Sequence, residues 1–227
     1  MNKEWSAANQ AIQAKLKQAT FADAISELIS LRDTLMTEID SWRAVLSPED
    51  FSAMPFPNAN GYHNKTVAYS LWHIFRIEDI VVNTLIRNQA QILFSGSYQE
   101  KLHASLITTG NELAKEQIVA FSRELRIDGL YQYIHDVKNQ DDAWLTSLTY
   151  QEAKASFSQA DKDRLIQTKT VSSDECAAWL IDYWCGKDVK GLLKMPLSRH
   201  WIMHVEASLR IIHKLHPQSE LEKGATL

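Results

Sequence analysis

Apolar residues recur at steps of three and four along most of the chain, the spacing of helices that bury one face. The clearest run is Phe21, Ala24, Ile25, Leu28, Leu31, Leu35, Ile39, Trp42 and Leu46. It predicts a helix from about Phe21 to Leu46 with Thr20 as N-cap. A polar, alanine-rich stretch from Ser6 to Gln18 predicts a shorter helix before it, and Pro48, Pro55, Pro57, Asn58, Asn60 and Gly61 predict an extended connection after it. The most apolar segment follows, from about Thr66 to Leu93, and should be central. On its wheel Thr66, Ser70, Ile77, Ile80 and Thr84 lie within about 60° of His73. Arg76, Asp79, Asn83 and Arg87 form a polar edge beside that column, which places His73 between core and water.

From about Glu112 to Leu148 the apolar spacing predicts one short and one long helix, with Asp128-Gly129 as the break. Between Thr149 and Thr170 the pattern weakens into alternation that suits a short hairpin. Ser172 and Glu175 resemble a capping box ahead of Cys176 to Leu180, and Gly186 suits a helix end. The last helix is expected to start near Pro196 and stop before Pro217. Leu197, His200, His204, Ala207, Ser208, Ile211 and Leu215 share its inner face, with Arg199, Glu206, Arg210 and His213 opposite.

These elements make the chain all-α, a single helical domain over 1–227, with a core at about 20–215, an N-terminal helix or extension at 1–19 and a loose tail at 218–227. Seven glycines and five prolines in 227 residues are too few for a turn-rich β fold. With 45% hydrophobic residues there is enough apolar surface for a core. The net charge of -4 arises from mixed charges without a basic block, which argues against a nucleic-acid partner. No run of roughly 18 apolar residues offers a membrane span. Cys176 and Cys185 match neither a zinc-ribbon nor a redox spacing and read as small core residues in a reducing cytoplasm.

The chemistry concentrates in histidines. His200 and His204, four apart on the apolar face of one helix, can reach a common ion, and a facing helix can add a third ligand. Two readings of the pair stand: a shared ion satisfying one nitrogen on each ring, or core histidines bonded to backbone carbonyls. His63 is a weaker alternative ligand, and His103, His135, His213 and His216 read as solvated residues. Glu78 reads either as a base or partner beside the site, or as an ion pair with an arginine of a neighbouring helix. The seven tryptophans read as core and rim packing, with Trp72 and Trp201 adjoining the histidines. There is no Gly-rich phosphate loop and no nucleophile elbow, and no carboxylate follows His200 directly as in a zincin.

The segment Ser70-Leu71-Trp72-His73-Ile74-Phe75-Arg76-Ile77-Glu78-Asp79, followed far downstream by His200 and His204 on a closing helix, resembles the DinB/YfiT-like metalloenzymes over about residues 20 to 215. The resemblance implies a four-helix bundle of up-down-down-up topology, here with extra short helices, whose metal ligands are His73, His200 and His204. It departs where many relatives carry Arg-Gly-Gln after the second paired histidine, since here Val205-Glu206-Ala207 follow His204. The segment from Thr149 to Met195 is also longer than a minimal bundle needs, suiting a flap or an outer layer. The implied function is a metal-dependent enzyme, a thiol-dependent S-transferase or a hydrolase, acting on a small molecule with a low-molecular-weight thiol as partner. Three neutral imidazoles suit zinc or nickel first, and also iron or manganese. The competing expectation is a non-catalytic, stress-associated binding or scaffold protein with a structural ion or none. A homodimer fits either, and no catalytic residue beyond the ligands can be assigned.

Overall fold

A computed structural model of the chain describes residues 2–217, and among them the regular structure is helical apart from one isolated β-bridge, between Ser156 and Asp188. The expected tail, 218–227, lies outside the described residues. Helix α1 (Lys3–Lys15) is capped by the Asn2 side chain, which accepts the N–H groups of Glu4 and Trp5. Helix α2 (Phe21–Ser41) continues through a 3₁₀ turn to Ala44. Thr20 does not cap it with its side chain, because its hydroxyl donates to the Lys15 carbonyl instead. A short α3 (Pro48–Phe51) closes on a Ser47/Asp50 capping box.

Helix α4 (Val67–Asp79) starts where the Thr66 hydroxyl accepts the Tyr69 N–H, and every residue of it is buried. It widens into a π turn over Ile80–Ile86, closed by a bond from the Arg87 N–H to the Val82 carbonyl five residues back. The element therefore stops short of Leu93. Asn88 takes positive φ, and the Ile92 and Leu93 N–H groups, which a continuous helix would use internally, bond to the Asp79 carboxylate. The expected polar edge is also not at water: Arg76, Asp79 and Asn83 are all buried.

Two short helices follow, α5 (Ile92–Ser95) and α6 (Tyr98–Leu102), then α7 (Glu116–Glu124) and the long α8 (Ile127–Ser147). One short and one long helix appear as expected, but the break falls at Leu125-Arg126, where the backbone is extended. Gly129 lies inside α8 and admits close approach, since a Cβ there would sit 2.6 Å from the Lys101 carbonyl oxygen.

The expected hairpin between Thr149 and Thr170 is replaced by α9 (Tyr150–Ala153) and α10 (Gln159–Gln167). Each has a full capping box, Thr149/Glu152 and Ser158/Asp161, and these outweigh the weak alternation. Helix α11 (Glu175–Cys185) begins after Asp174 without a side-chain cap, so Ser172 and Glu175 do not form the expected box; Gly186 does end it. Cys176 is exposed and Cys185 half-buried, and both are free thiols rather than core residues. Trp179 is exposed as well.

Helical structure resumes at α12 (Val189–Lys194), earlier than Pro196, passes through a π turn over Met195–Arg199, and continues as α13 (His200–Leu215). Pro196 cannot donate to a carbonyl, and its ring would crowd one four residues back. The wider turn accommodates it, and the Ser198 hydroxyl donates to the Leu193 carbonyl at 2.8 Å. Helices α2, α4, α8 and α13 pack as four pairs, α2 on α8, α8 on α4, α4 on α13 and α13 on α2, with α1 lying along α2. One contiguous apolar cluster runs from Trp5 to Ile212. Among the described residues no helix is long and apolar enough to cross a membrane.

Candidate metal centre

The packing of α4 against α13 brings His73 to His200 and His204. Their ring centroids are 5.1 Å (His73–His200), 4.9 Å (His73–His204) and 4.6 Å (His200–His204) apart. One nitrogen from each can be chosen so that all three lie within 4.8 Å of one another. All three rings are buried, at 6%, 7% and 2% exposure. His200 is placed by the π turn, whose last bond joins its N–H to the Met195 carbonyl, and His204 follows one α-helical turn later on the same face.

Burial holds all three imidazoles neutral. It draws His73 down to about 4, against a rise from the Thr109 carbonyl. His200 lies well below the ordinary range through burial and then the neighbouring His73, and His204 through burial and then His200, His73 and Lys65. Nδ1 of His73 is 2.8 Å from the Thr109 carbonyl oxygen, which only accepts, so Nδ1 carries the hydrogen and Nε2 keeps its lone pair. In contrast Nδ1 of His200 and both nitrogens of His204 have no hydrogen-bond partner among the described residues although they are buried. Leaving such atoms unpaired costs about 1–3 kcal/mol each, and the carbonyl-bonded reading therefore accounts for His73 but not for the pair.

The residues around the triad were not anticipated. Tyr69 stacks on His73 at 5.5 Å and 11°, and Tyr62 meets His204 edge-on at 4.8 Å. A strap without regular structure, residues 107–110, runs along α4 and offers four successive carbonyls to four side chains of that helix. Arg76 donates to Ile107 at 2.7 Å, Trp72 to Thr108 at 3.1 Å, His73 to Thr109 at 2.8 Å and Tyr69 to Gly110 at 2.9 Å. The donors sit at helical steps of three and four, so two turns of helix match about 10 Å of extended chain. The only sequence sign is that Tyr69, Trp72, His73 and Arg76 all carry donors on one stripe of an apolar helix.

Glu78 resolves to the ion-pair reading. Its carboxylate takes Arg32 in a two-pronged bridge at 2.6 and 2.8 Å, and the Trp201 indole N–H at 2.8 Å, all fully buried. Arg32 also reaches Asp142 at 2.6 Å and lies 4.5 Å from the Trp201 ring centroid. With these bonds made, Glu78 supports the face behind His200 and is not a free base. His63 is bonded through Nε2 to Arg210 at 3.0 Å and lies outside the triad. A cavity of about 720 Å³ lined by Arg43, Phe51, Lys101, Arg126 and Gln132 contains none of the three histidines, so volume does not mark this site; its donor chemistry does.

Asp141 is fully buried next to Glu78, and neither of its oxygens meets a donor from another residue. Burial first, and then the Glu78 charge, push its carboxyl well above the ordinary carboxylate range. The folded chain thus holds a proton that the unfolded chain releases above about pH 4. This contribution to stability is complete below that pH and is lost as pH rises through the raised folded value. Asp141→Asn is expected to remove it. The difference in unfolding free energy between variant and parent should shift in the variant's favour by up to about 1.4 kcal/mol per pH unit from pH 5 upward. Urea titrations that give parallel pH profiles would mean that Asp141 is ionised in the fold.

No protein-family model matches the chain, and no curated protein matches it either. The functional reading therefore rests on the geometry of the site and on the resemblance carried by its histidine segments.

Proposed function

We propose that this chain is a metal-dependent enzyme of the DinB/YfiT-like kind, an up-down-down-up four-helix bundle of α2, α4, α8 and α13 whose ligands are His73, His200 and His204. The observation that carries the reading is the convergence of three neutral, buried imidazoles, three of whose nitrogens have no other partner. A divalent ion takes one nitrogen from each ring, so it gives His204 and His200 a partner on one side where hydrogen bonds are missing and uses the lone pair that His73 keeps on Nε2. Zinc or nickel fits an all-imidazole set best, with iron or manganese next.

Bound there, such an ion would polarise a water, thiol or carbonyl at the position the three imidazoles leave open. The protein's own contribution is orientation and dryness. The Thr109 carbonyl fixes the His73 ring, Tyr69 and Tyr62 wall two of the imidazoles, and the Arg32–Glu78–Trp201 group holds the start of α13 from behind. No carboxylate follows His200 directly and Glu78 is engaged by Arg32 and Trp201, which disfavours a zincin-like hydrolysis; thiol-dependent group transfer on a small molecule is the reaction class that the resemblance implies.

The test is metal content by plasma mass spectrometry on tag-free protein purified without chelator, beside a His200→Ala/His204→Ala variant. About one divalent ion per chain is expected in the parent and almost none in the variant. Parent protein that comes without metal and also refuses added zinc, nickel and manganese would end the reading.

A further inference from the structure

Lys65 stands at the triad without a counter-charge. It lies in the connection before α4, three residues after Tyr62, and its Nζ is 5.3 Å from the centroid of the Tyr69 ring that stacks on His73. Tyr62 from the same connection meets His204. One short segment thus contributes an aromatic wall against one ligand and a cation next to the aromatic wall of another. Lys65 is half-buried, and among the described residues it makes no ion pair or hydrogen bond. Burial lowers its readiness to stay charged, and its charge is felt at both His73 and His204. The acid that acts on Tyr69, Glu112, accepts the Thr108 hydroxyl and does not pair with Lys65. A second cation, the exposed Arg199, acts on Tyr62 from the other side.

No carboxylate belongs to the three-histidine group. With a divalent ion held there, the site would carry two positive charges from the metal and one from Lys65, with no carboxylate among its three ligands. A partly desolvated ammonium whose partner is the face of Tyr69 keeps its hydrogen-bond donors unused, and an arriving anion gains a charge-assisted hydrogen bond from them. We infer that Lys65 anchors an anionic group of the small molecule taken at the three-histidine site, so that the ligands are acids, with a carboxylate a few ångströms from the atom presented to the histidines.

This inference rests on the metal reading above, and cobalt can separate the two. Cobalt-loaded protein is titrated with mercaptoacetate and with the neutral mercaptoethanol, and the visible absorption bands are followed in the parent, Lys65→Met, Lys65→Gln and Lys65→Arg. The acid is expected to bind about tenfold more tightly than the neutral thiol in the parent, with that preference eroded by added salt. The ratio should fall several-fold in Lys65→Met and Lys65→Gln, which still show the cobalt bands and keep the preference due to the metal itself, and persist in Lys65→Arg. An equal ratio in the parent and the two neutral variants would overturn the role of Lys65 and leave the metal site standing. If no protein shows cobalt bands, the metal site and the anion anchor are refuted together.

Discussion

Arg32→Met is expected to lower the unfolding free energy by about 3–5 kcal/mol, the cost of leaving a buried charge without its partner. The guanidinium is fully buried and raised further into its charged range, with burial opposing and Glu78, Asp142 and Asp141 outweighing it. Its removal leaves Glu78 with only the Trp201 indole as donor and the Asp141 carboxyl nearby. Because the penalty comes from the orphaned carboxylate rather than from the loss of attraction, Arg32→Met/Glu78→Met should recover much of it. Urea denaturation of both variants decides the matter. A double variant as unstable as the single one would show that packing around Trp201, not charge, is what Arg32 supplies.

The other large effect is expected at Asp79. Its two oxygens accept five donors: the Arg76 guanidinium at 3.1 Å, the Asn83 amide at 3.0 Å, the Tyr133 hydroxyl at 2.9 Å and the N–H groups of Ile92 and Leu93 at 2.8 and 3.0 Å. Asp79→Ala should destabilise the chain by about 3–5 kcal/mol, since it leaves Arg76 charged and buried without a carboxylate. It should also reach the site. Arg76 holds the Ile107 carbonyl at one end of the strap that fixes His73, so loosening Arg76 loosens the ring. Zinc affinity, measured by competition with a chromophoric chelator, is expected to fall about 10- to 100-fold, as for loss of a group that orients a ligand. Lower stability with unchanged zinc affinity would show that Thr109 holds His73 without help from the rest of the strap.

Much of this was readable from residue order, and the failures have physical causes. The stripe from Phe21 to Trp42 gave α2, and the inward face of α13 gave the histidine pair, because a helix repeats its environment every three or four residues. His73 needed more than periodicity; its neighbours from Ser70 to Asp79 singled it out. Arg76 and Asp79 are polar yet buried because they pair with each other and with Asn83, Gln91 and Tyr133, and because backbone groups about 13 to 31 residues away, which leave no trace in residue type, complete their bonding. The hairpin expected after Thr149 failed for the opposite reason. Thr149-x-x-Glu152 and Ser158-x-x-Asp161 are capping signals legible in residue order, and they outweigh the alternation between them. The two π turns had a partial signal in Pro196 and none around Ile80–Ile86.

The grip of α4 on the strap at 107–110 runs through carbonyl oxygens, a group every amino acid possesses. The strap's residues are nevertheless not interchangeable, since Thr109 is fully buried, the Thr108 and Thr109 hydroxyls donate to Glu112 and Asn111, and Gly110 takes φ +79 with Tyr69 pressed on it. Its length is fixed too. One residue inserted or deleted would move every following carbonyl about 3.3 Å along α4, off its donor. Variation in this stretch should thus be strict in count, and the residues on the opposite element that keep it in register are Tyr69, Trp72, His73 and Arg76.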